Sequence, residues 1–392
     1  MAEDSVVITT RAVERLRAGH PWVYRSDVRS ASAEAGAIVR VTDERGRYHG
    51  RAFYSDKSQI AVRLLTREDV AINRAFFAER IRQTAAYRKT VVENTDAYRL
   101  IYGEADLLPS VVVDAYGDYL VIQTLSQSSE RYKSLFCEIL VEQFSPKGIL
   151  ERNDPKVRLL EGLEQKISVL HGEVPEEILA KENGIAFYYD LRNGQKTGSF
   201  LDQRENHAVA AQYSFGEVLD CFAYQGGFAL TVAGKSEHVE AVDMAPAALN
   251  AARRNQEANA ISNVTSREAN TFDLLKEYDE VGRRFDTVIL DPPAFAKNRA
   301  SIPAAQRGYK EINLRAMKLL KPGGYLVTCS CSYHISEPLF LQIIAEAAID
   351  ARKTATVVER RTQSRDHPIL LTMPETHYLK CMIIRVLYDK SV

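Results

Sequence analysis

Short apolar runs, each closed by a polar residue, punctuate the second half of the chain. Val218 and Leu219 lead into Asp220, Val239–Val242 stop at Asp243, Val264–Ala269 stop beside Asn270, and Phe285–Leu290 stop at Asp291. Runs of this length suit buried strands. Between them the spacing turns helical. Phe228–Ala233 follows the turn Gly226-Gly227, and Pro246–Ala260 is Ala-rich with Pro in its first turn. Tyr309–Leu320 is closed by Lys321-Pro322-Gly323-Gly324. Tyr325–Cys331 supplies a fifth strand, Leu339–Ile349 another helix, and Lys380–Leu387 a late edge strand. Strand and helix alternating in this way predicts a doubly wound α/β domain. A ligand then sits over the strand ends, at the glycine turn.

The first half patterns differently. In residues 1–73, strands over Val6–Thr9, Ile38–Thr42, Tyr48–Tyr54 and Gln59–Leu65 surround one short helix, Arg11–Ala18. That predicts a small β-rich domain. Residues 74–183 predict a small α+β domain. Its helices are Arg74–Val92 and Ser129–Phe144, and its strands Tyr98–Ile101, Ser110–Ala115, Tyr119–Thr124 and Ile149–Asn153. The long α/β domain takes residues 184–392. It opens with Ile185–Asp190 and the turn Gly194–Gly198, which together suggest a hairpin, and Asp202 is placed to cap the helix that follows.

At 392 residues, two or three domains are expected. Lys plus Arg number 51 against 52 Asp plus Glu, so a nucleic-acid face must be a local patch. One candidate lies between residues 11 and 29. Arg11, Arg15, Arg17, Arg25 and Arg29 face only Glu14 and Asp27, with Trp22 and Tyr24 among them. Composition alone fits a solvated helix face beside a core tryptophan equally well. The sharper reading is an RNA surface, with Arg11, Arg15 and Arg25 on phosphates and Trp22 free to stack. Five scattered cysteines without a C-x-x-C pair exclude a disulfide framework and a zinc site, and suit a reducing cytosol. No signal pattern and no apolar run of membrane-spanning length is present, so neither a metal nor a membrane partner is expected.

Strand, Gly-Gly turn, acidic strand end and then Asp291-Pro292-Pro293, in that order, resemble a class I S-adenosylmethionine methyltransferase. Asp243 would accept from the ribose hydroxyls; as a bland alternative it caps the helix at Pro246. Asp220 and the backbone from Phe222 through Tyr224 to Gly226 and Gly227 would meet the methionine part, and Asn270 the adenine amine. The two prolines lack N–H groups, so they end the strand and leave carbonyls free. Cys329 and Cys331 carry the distinguishing chemistry. Carbon 5 of a pyrimidine is a poor nucleophile until a thiolate adds to carbon 6. Strand alternation points both thiols to one face. The one nearer the strand end, Cys331, is the better nucleophile, although strand cysteines are often simply small core residues.

The whole chain resembles the RlmI type of ribosomal RNA methyltransferase. The residues carrying the resemblance are His20-Pro21-Trp22-Val23, Lys196-Thr197-Gly198, Phe200-Leu201-Asp202-Gln203-Arg204, Asp291-Pro292-Pro293 with Phe295, Ser330-Cys331-Ser332, Asp366-His367-Pro368 and Tyr378-Leu379-Lys380. The resemblance implies an N-terminal PUA domain, a central domain and a Rossmann-like methyltransferase domain. It implies 5-methylcytosine formation in large-subunit rRNA, in the cytoplasm, with Cys331 as catalytic thiol and Asp291 beside it. Gln203, Arg204, Met244 and Pro292 join the cofactor set. The partner is the rRNA or its assembly intermediate, and a second copy of the chain is a further candidate. Three positions depart from the pattern: Ala294 stands where other RNA 5-methylcytosine enzymes carry a second Cys, Asn270 replaces the usual Asp, and Cys329 adds a thiol. Two rival functions remain. One is a base amino-group methyltransferase using Asp-Pro-Pro without a thiol. The other is a non-catalytic RNA-binding assembly factor, against which the intact Asp243, Asp291 and Cys331 argue.

Overall fold

Glu217–Cys221 (β1), His238–Asp243 (β2), Val264–Glu268 (β3), Phe285–Leu290 (β4) and Leu320–Ser330 (β5) form parallel neighbours in one sheet, and Ala355–Arg361 (β6) and Lys380–Val386 (β7) complete it. The order is β3-β2-β1-β4-β5-β7-β6, with β7 antiparallel to both its neighbours. Val218, Leu219, Val288, Ile289, Leu326 and Val327 are wholly buried, as strands covered on both faces require. Arg204–Tyr213 (α1), Gly227–Ala233 (α2), Pro246–Ala258 (α3), Thr271–Glu280 (α4), Ile302–Leu319 (α5) and Glu337–Asp350 (α6) are its helices. Leu275 of α4, Ile312 of α5 and Phe340 of α6 share one core with Leu219, Val288 and Leu326. From β1 the chain steps outward through β2 and β3, then returns to β4 on the other side. The switch point therefore lies between β1 and β4.

The computed structural model describes residues 3–387. They form two units. One holds the chain up to Ala180 with Tyr189–Leu201 and Arg365–Thr376, and the other holds Lys181–Tyr188, Asp202–Ser364 and the chain from His377 onward. The first unit contains a six-stranded sheet built from strands between Ser5 and Thr66, and a five-stranded sheet built from strands between Ala97 and Gly172. Helices Arg74–Val91 and Lys133–Phe144 pack on the second sheet through Phe77, Ile81, Phe136 and Ile139, and Phe53 and Leu65 of the first sheet join the same core. Among the described residues no helix is long and apolar enough to cross a membrane, and no cluster of metal ligands occurs.

Several elements differ from the sequence expectation. The helix expected over Ser129–Phe144 starts at Gln127, where Ser126 and Ser129 form a capping box, and breaks at Tyr132. The hairpin at Ile185–Asp190 pairs with Glu177–Glu182 before it, through Asn183-Gly184, not with the turn after it. Both turn residues have positive φ, as a tight hairpin demands. Lys321-Pro322-Gly323-Gly324 belongs to β5, whose register shifts there against β4. The strand from Lys380 is interior, since β6 takes the edge. Asp202 does not cap α1; its carboxylate accepts from the Tyr378 hydroxyl at 2.5 Å.

Candidate active site

β1 carries Asp220 to the C-terminal edge of the sheet, where it is wholly buried. The Ala229 N–H approaches, yet neither carboxylate oxygen meets a donor with hydrogen-bond geometry. Burial first, then the neighbouring charge of Asp291, and more weakly that of Asp243, hold this acid well above the usual carboxylate range. A buried carboxylate in this state is incomplete without a donor-bearing ligand.

The turn after β1 is strained. Phe222 (φ 65°), Tyr224 (φ 49°) and Gly226 (φ 90°) all sit in the left-handed region, and two of them carry bulky side chains. Neighbouring elements enforce this shape. The Ala223 N–H donates to Val242 O (2.9 Å), the Tyr224 N–H to Asp243 Oδ2 (2.9 Å), and Asn255 Nδ2 to Gln225 O (3.0 Å). Asp243 also accepts from the Ala245 N–H through Oδ1 at 2.9 Å. It does not cap α3, whose cap residue is Ala245. A carboxylate has roughly four acceptor sites, so two hydrogen bonds leave capacity for a ribose diol.

Gly227 opens α2 under steric duress. A Cβ there would stand 2.5 Å from His207 Cε1, and that ring is pinned by Glu182 Oε1 at 2.6 Å from Nδ1 and by Phe228 edge-on at 4.4 Å. Gly227→Ala is expected to weaken S-adenosylmethionine binding roughly 10- to 100-fold, the equivalent of about 1–3 kcal/mol of overpacking transmitted to the turn. Calorimetry finding wild-type affinity would show that the turn has slack.

Across the switch point, the Asp291 N–H reaches Cys221 O at 3.4 Å. Its Oδ1 accepts from Gln203 Nε2 (2.8 Å), whose Oε1 accepts from Asn206 Nδ2 (2.7 Å), whose Oδ1 accepts from Arg361 Nε (3.0 Å). This chain fixes the carboxylate and gives Gln203 a positioning part. Cys331 lies one residue beyond β5, partly exposed, and its thiol donates to Pro292 O at 3.9 Å. The free proline carbonyl expected from the sequence therefore meets the candidate nucleophile. Cys329 is different. It belongs to the strand, where it is wholly buried opposite Cys381, whereas Cys331 lies beyond the strand end. Burial, then the Cys381 thiol, push it well above the ordinary thiol range.

Other expected residues stand apart from this cluster or serve the fold. Asn270 Oδ1 accepts from the Phe272 N–H (2.9 Å), so it caps α4 first of all. Met244 is 70% exposed beside Asp243. Arg204 is buried, with Nη2 3.5 Å from Glu205 Oε1. In the other unit, Arg11 and Arg15 both bond the buried Asp27, Arg25 bonds Ser55 O and Ser58 O, and Trp22 Nε1 donates to Glu104. These internal partners account for Arg15, Arg25 and Trp22, while the Arg11 side chain stays largely exposed. Sequence reasoning gave no role to His207, Asn206 or Lys380. Only the Phe200–Arg204 and Tyr378–Lys380 stretches marked their neighbourhood.

Sheet order, switch point and an unsatisfied acid under the first turn are those of a class I methyltransferase that uses S-adenosylmethionine. Residues 163–383 match the family of S-adenosylmethionine-dependent methyltransferases, and residues 6–67 match the PUA-like domain. The ribosomal RNA large subunit methyltransferase I of Tolumonas auensis is 40% identical over 379 residues, covering 94% of this chain and 96% of its own. That of Shewanella amazonensis is 42% identical over 377 residues, covering 94% and 95%. The chain belongs to the ribosomal RNA large subunit methyltransferase I family. The crystal structure of the methyltransferase SMU.776 complexed with SAH, 22% identical over 97% of this chain and all of its own, shares the fold with a TM-score of 0.84.

Proposed function

We propose that the protein methylates carbon 5 of a cytosine in large-subunit ribosomal RNA through a covalent adduct on Cys331. The observation that carries this reading is the contrast between the two thiols: Cys331 is accessible beside the Pro292 carbonyl, and Cys329 is sealed in the sheet. S-adenosylmethionine supplies a methyl group already activated on a sulfonium. Asp220, the backbone of the Phe222–Gly227 turn and Asp243 hold it. The Cys331 thiolate adds to carbon 6, the 5,6 double bond opens, and carbon 5 becomes the nucleophile that takes the methyl as the sulfonium–methyl bond breaks and S-adenosylhomocysteine leaves. Asp291, oriented by Gln203, hydrogen-bonds the ring nitrogen or amino group of the base. Loss of the carbon-5 proton and cleavage of the sulfur–carbon bond then restore the ring and the thiol.

The rRNA substrate follows the names of the relatives at about 40% identity, and the PUA-like match supports an RNA-binding N-terminal domain. Of Arg11, Arg15 and Arg25, Arg11 is the most exposed. In this reading residues 1–73 bind RNA, 74–183 form a spacer, 184–392 perform the chemistry, and the protein works in the cytoplasm. Mass mapping of large-subunit rRNA nucleosides from a deletion strain and its complemented parent tests the proposal. One 5-methylcytosine should disappear and return. Loss of an N-methylated purine instead would transfer the assignment to amino-group methylation.

A further inference from the structure

β7 starts at Lys380, opposite Ser330 of β5. Its side chain is buried, 3% exposed, and Nζ donates to Ser332 O (2.7 Å) and Tyr378 O (2.8 Å). Among the described residues no carboxylate lies within ion-pair distance of this amine. A lysine so placed is costly unless a nearby anion compensates it. One of its two acceptors belongs to the residue that follows Cys331. The Ser332 side chain is fixed as well, by Tyr309 OH (2.9 Å) and the Ala296 N–H (3.0 Å).

We propose that Lys380 is a positioning residue for Cys331: its ammonium anchors the Cys331-Ser332 turn through the Ser332 carbonyl and supplies the positive charge that stabilises the Cys331 thiolate. The inference rests on the reading of Cys331 as nucleophile. In forming the thiolate, the S–H bond breaks and the proton leaves to solvent, while Lys380 keeps its three protons. Two of its N–H groups are spent on the carbonyls, and the third remains for the sulfur. Burial pulls the amine down to about 8, while Cys331 and Glu337 raise it. It is therefore mostly ammonium at pH 7. The other titratable groups around the pair are Glu337 at the start of α6, Asp291 after β4, and Tyr309 of α5, which burial pushes up to about 12.

The test is the pH dependence of Cys331 carbamidomethylation by iodoacetamide in the full-length chain, followed by mass of the Cys331 peptide. Lys380→Met keeps the stem and removes the charge; Lys380→Arg keeps the charge. The wild-type and Lys380→Arg midpoints should lie at least one pH unit below that of Lys380→Met, about a tenfold faster reaction at pH 7. An unshifted midpoint in a Lys380→Met protein that still binds S-adenosylmethionine overturns the proposal, and so does an equal shift in both variants. Should Lys380→Met fail to fold, the wild-type midpoint decides: a value at or above that of an ordinary thiol overturns the pairing. Alkylation needs no turnover. A low midpoint together with an active Cys331→Ala enzyme would thus sink the functional reading and leave the Lys380 pairing standing.

Discussion

Cys331→Ala is expected to abolish methyl transfer, by at least about ten-thousandfold, the scale of deleting a covalent nucleophile, and to leave S-adenosylmethionine affinity unchanged. The cofactor-holding groups lie on β1, β2 and the turn between β1 and α2, whereas the Cys331 thiol donates to Pro292 O beyond the end of β4. Cys329→Ala should keep most of the activity. That thiol is held protonated by burial in β5, and its removal costs only packing, about 1 kcal/mol. RNA containing 5-fluorocytosine separates the two, because fluorine blocks the final elimination. A denaturation-resistant complex should form with wild type and Cys329→Ala and be missing with Cys331→Ala. The opposite pattern would reverse the assignment of the thiols. Undiminished methylation by both variants would remove the thiol mechanism and favour amino-group methylation.

The parallel strands were legible because burial on both faces makes Val218-Leu219, Val239–Val242 and Phe285–Leu290 read as unbroken apolar runs. β6 was not. Its sequence, ATVVERR, lies at the edge and is mostly solvent-facing, so only the short pair Val357-Val358 marks it, and the more apolar Lys380–Leu387 reads as the edge in its place. α4 is hidden for a related reason: Asn270, which caps it, reads in the sequence as a strand-end residue for the adenine. Asn183-Gly184 is a hairpin signal, but the glycine-rich turn after Asp190 competes with it, and only the structure shows that Ile185–Asp190 pairs back to Glu177–Glu182. In the site, acid positions at strand ends follow from topology, and Asp220, Asp243 and Asp291 fell where the alternation put them. The partners of the arginine cluster were not legible, because composition cannot show that Asp27 takes both Arg11 and Arg15. Lys380 escaped because a lysine at a strand start ordinarily reads as solvated, and only the packed structure shows its amine buried between two carbonyls.

Asp220→Asn should act in opposite directions on binding and on stability. With ligand, it removes the charge that a methionine ammonium would meet, a charge-assisted hydrogen bond worth about 1.5–3 kcal/mol, so S-adenosylmethionine should bind roughly 10- to 100-fold more weakly. Without ligand, it removes a buried acid that has no donor. The folded chain holds that acid above its unfolded value of about 3.9, chiefly through burial and then through Asp291. Over the interval between the two values the folded state binds more protons than the unfolded state, so stability falls as pH rises. The penalty is absent below about pH 4 and present at pH 7. Asp220→Asn should therefore raise the melting temperature of the ligand-free protein at pH 7, by about 2–4 °C for each kcal/mol relieved, and the gain should vanish near pH 4. Thermal scans across pH, paired with calorimetric titration of S-adenosylmethionine, read both effects. A lower melting temperature at pH 7 with unchanged affinity would mean that Asp220 serves the fold, and that the methionine end of the cofactor is held elsewhere.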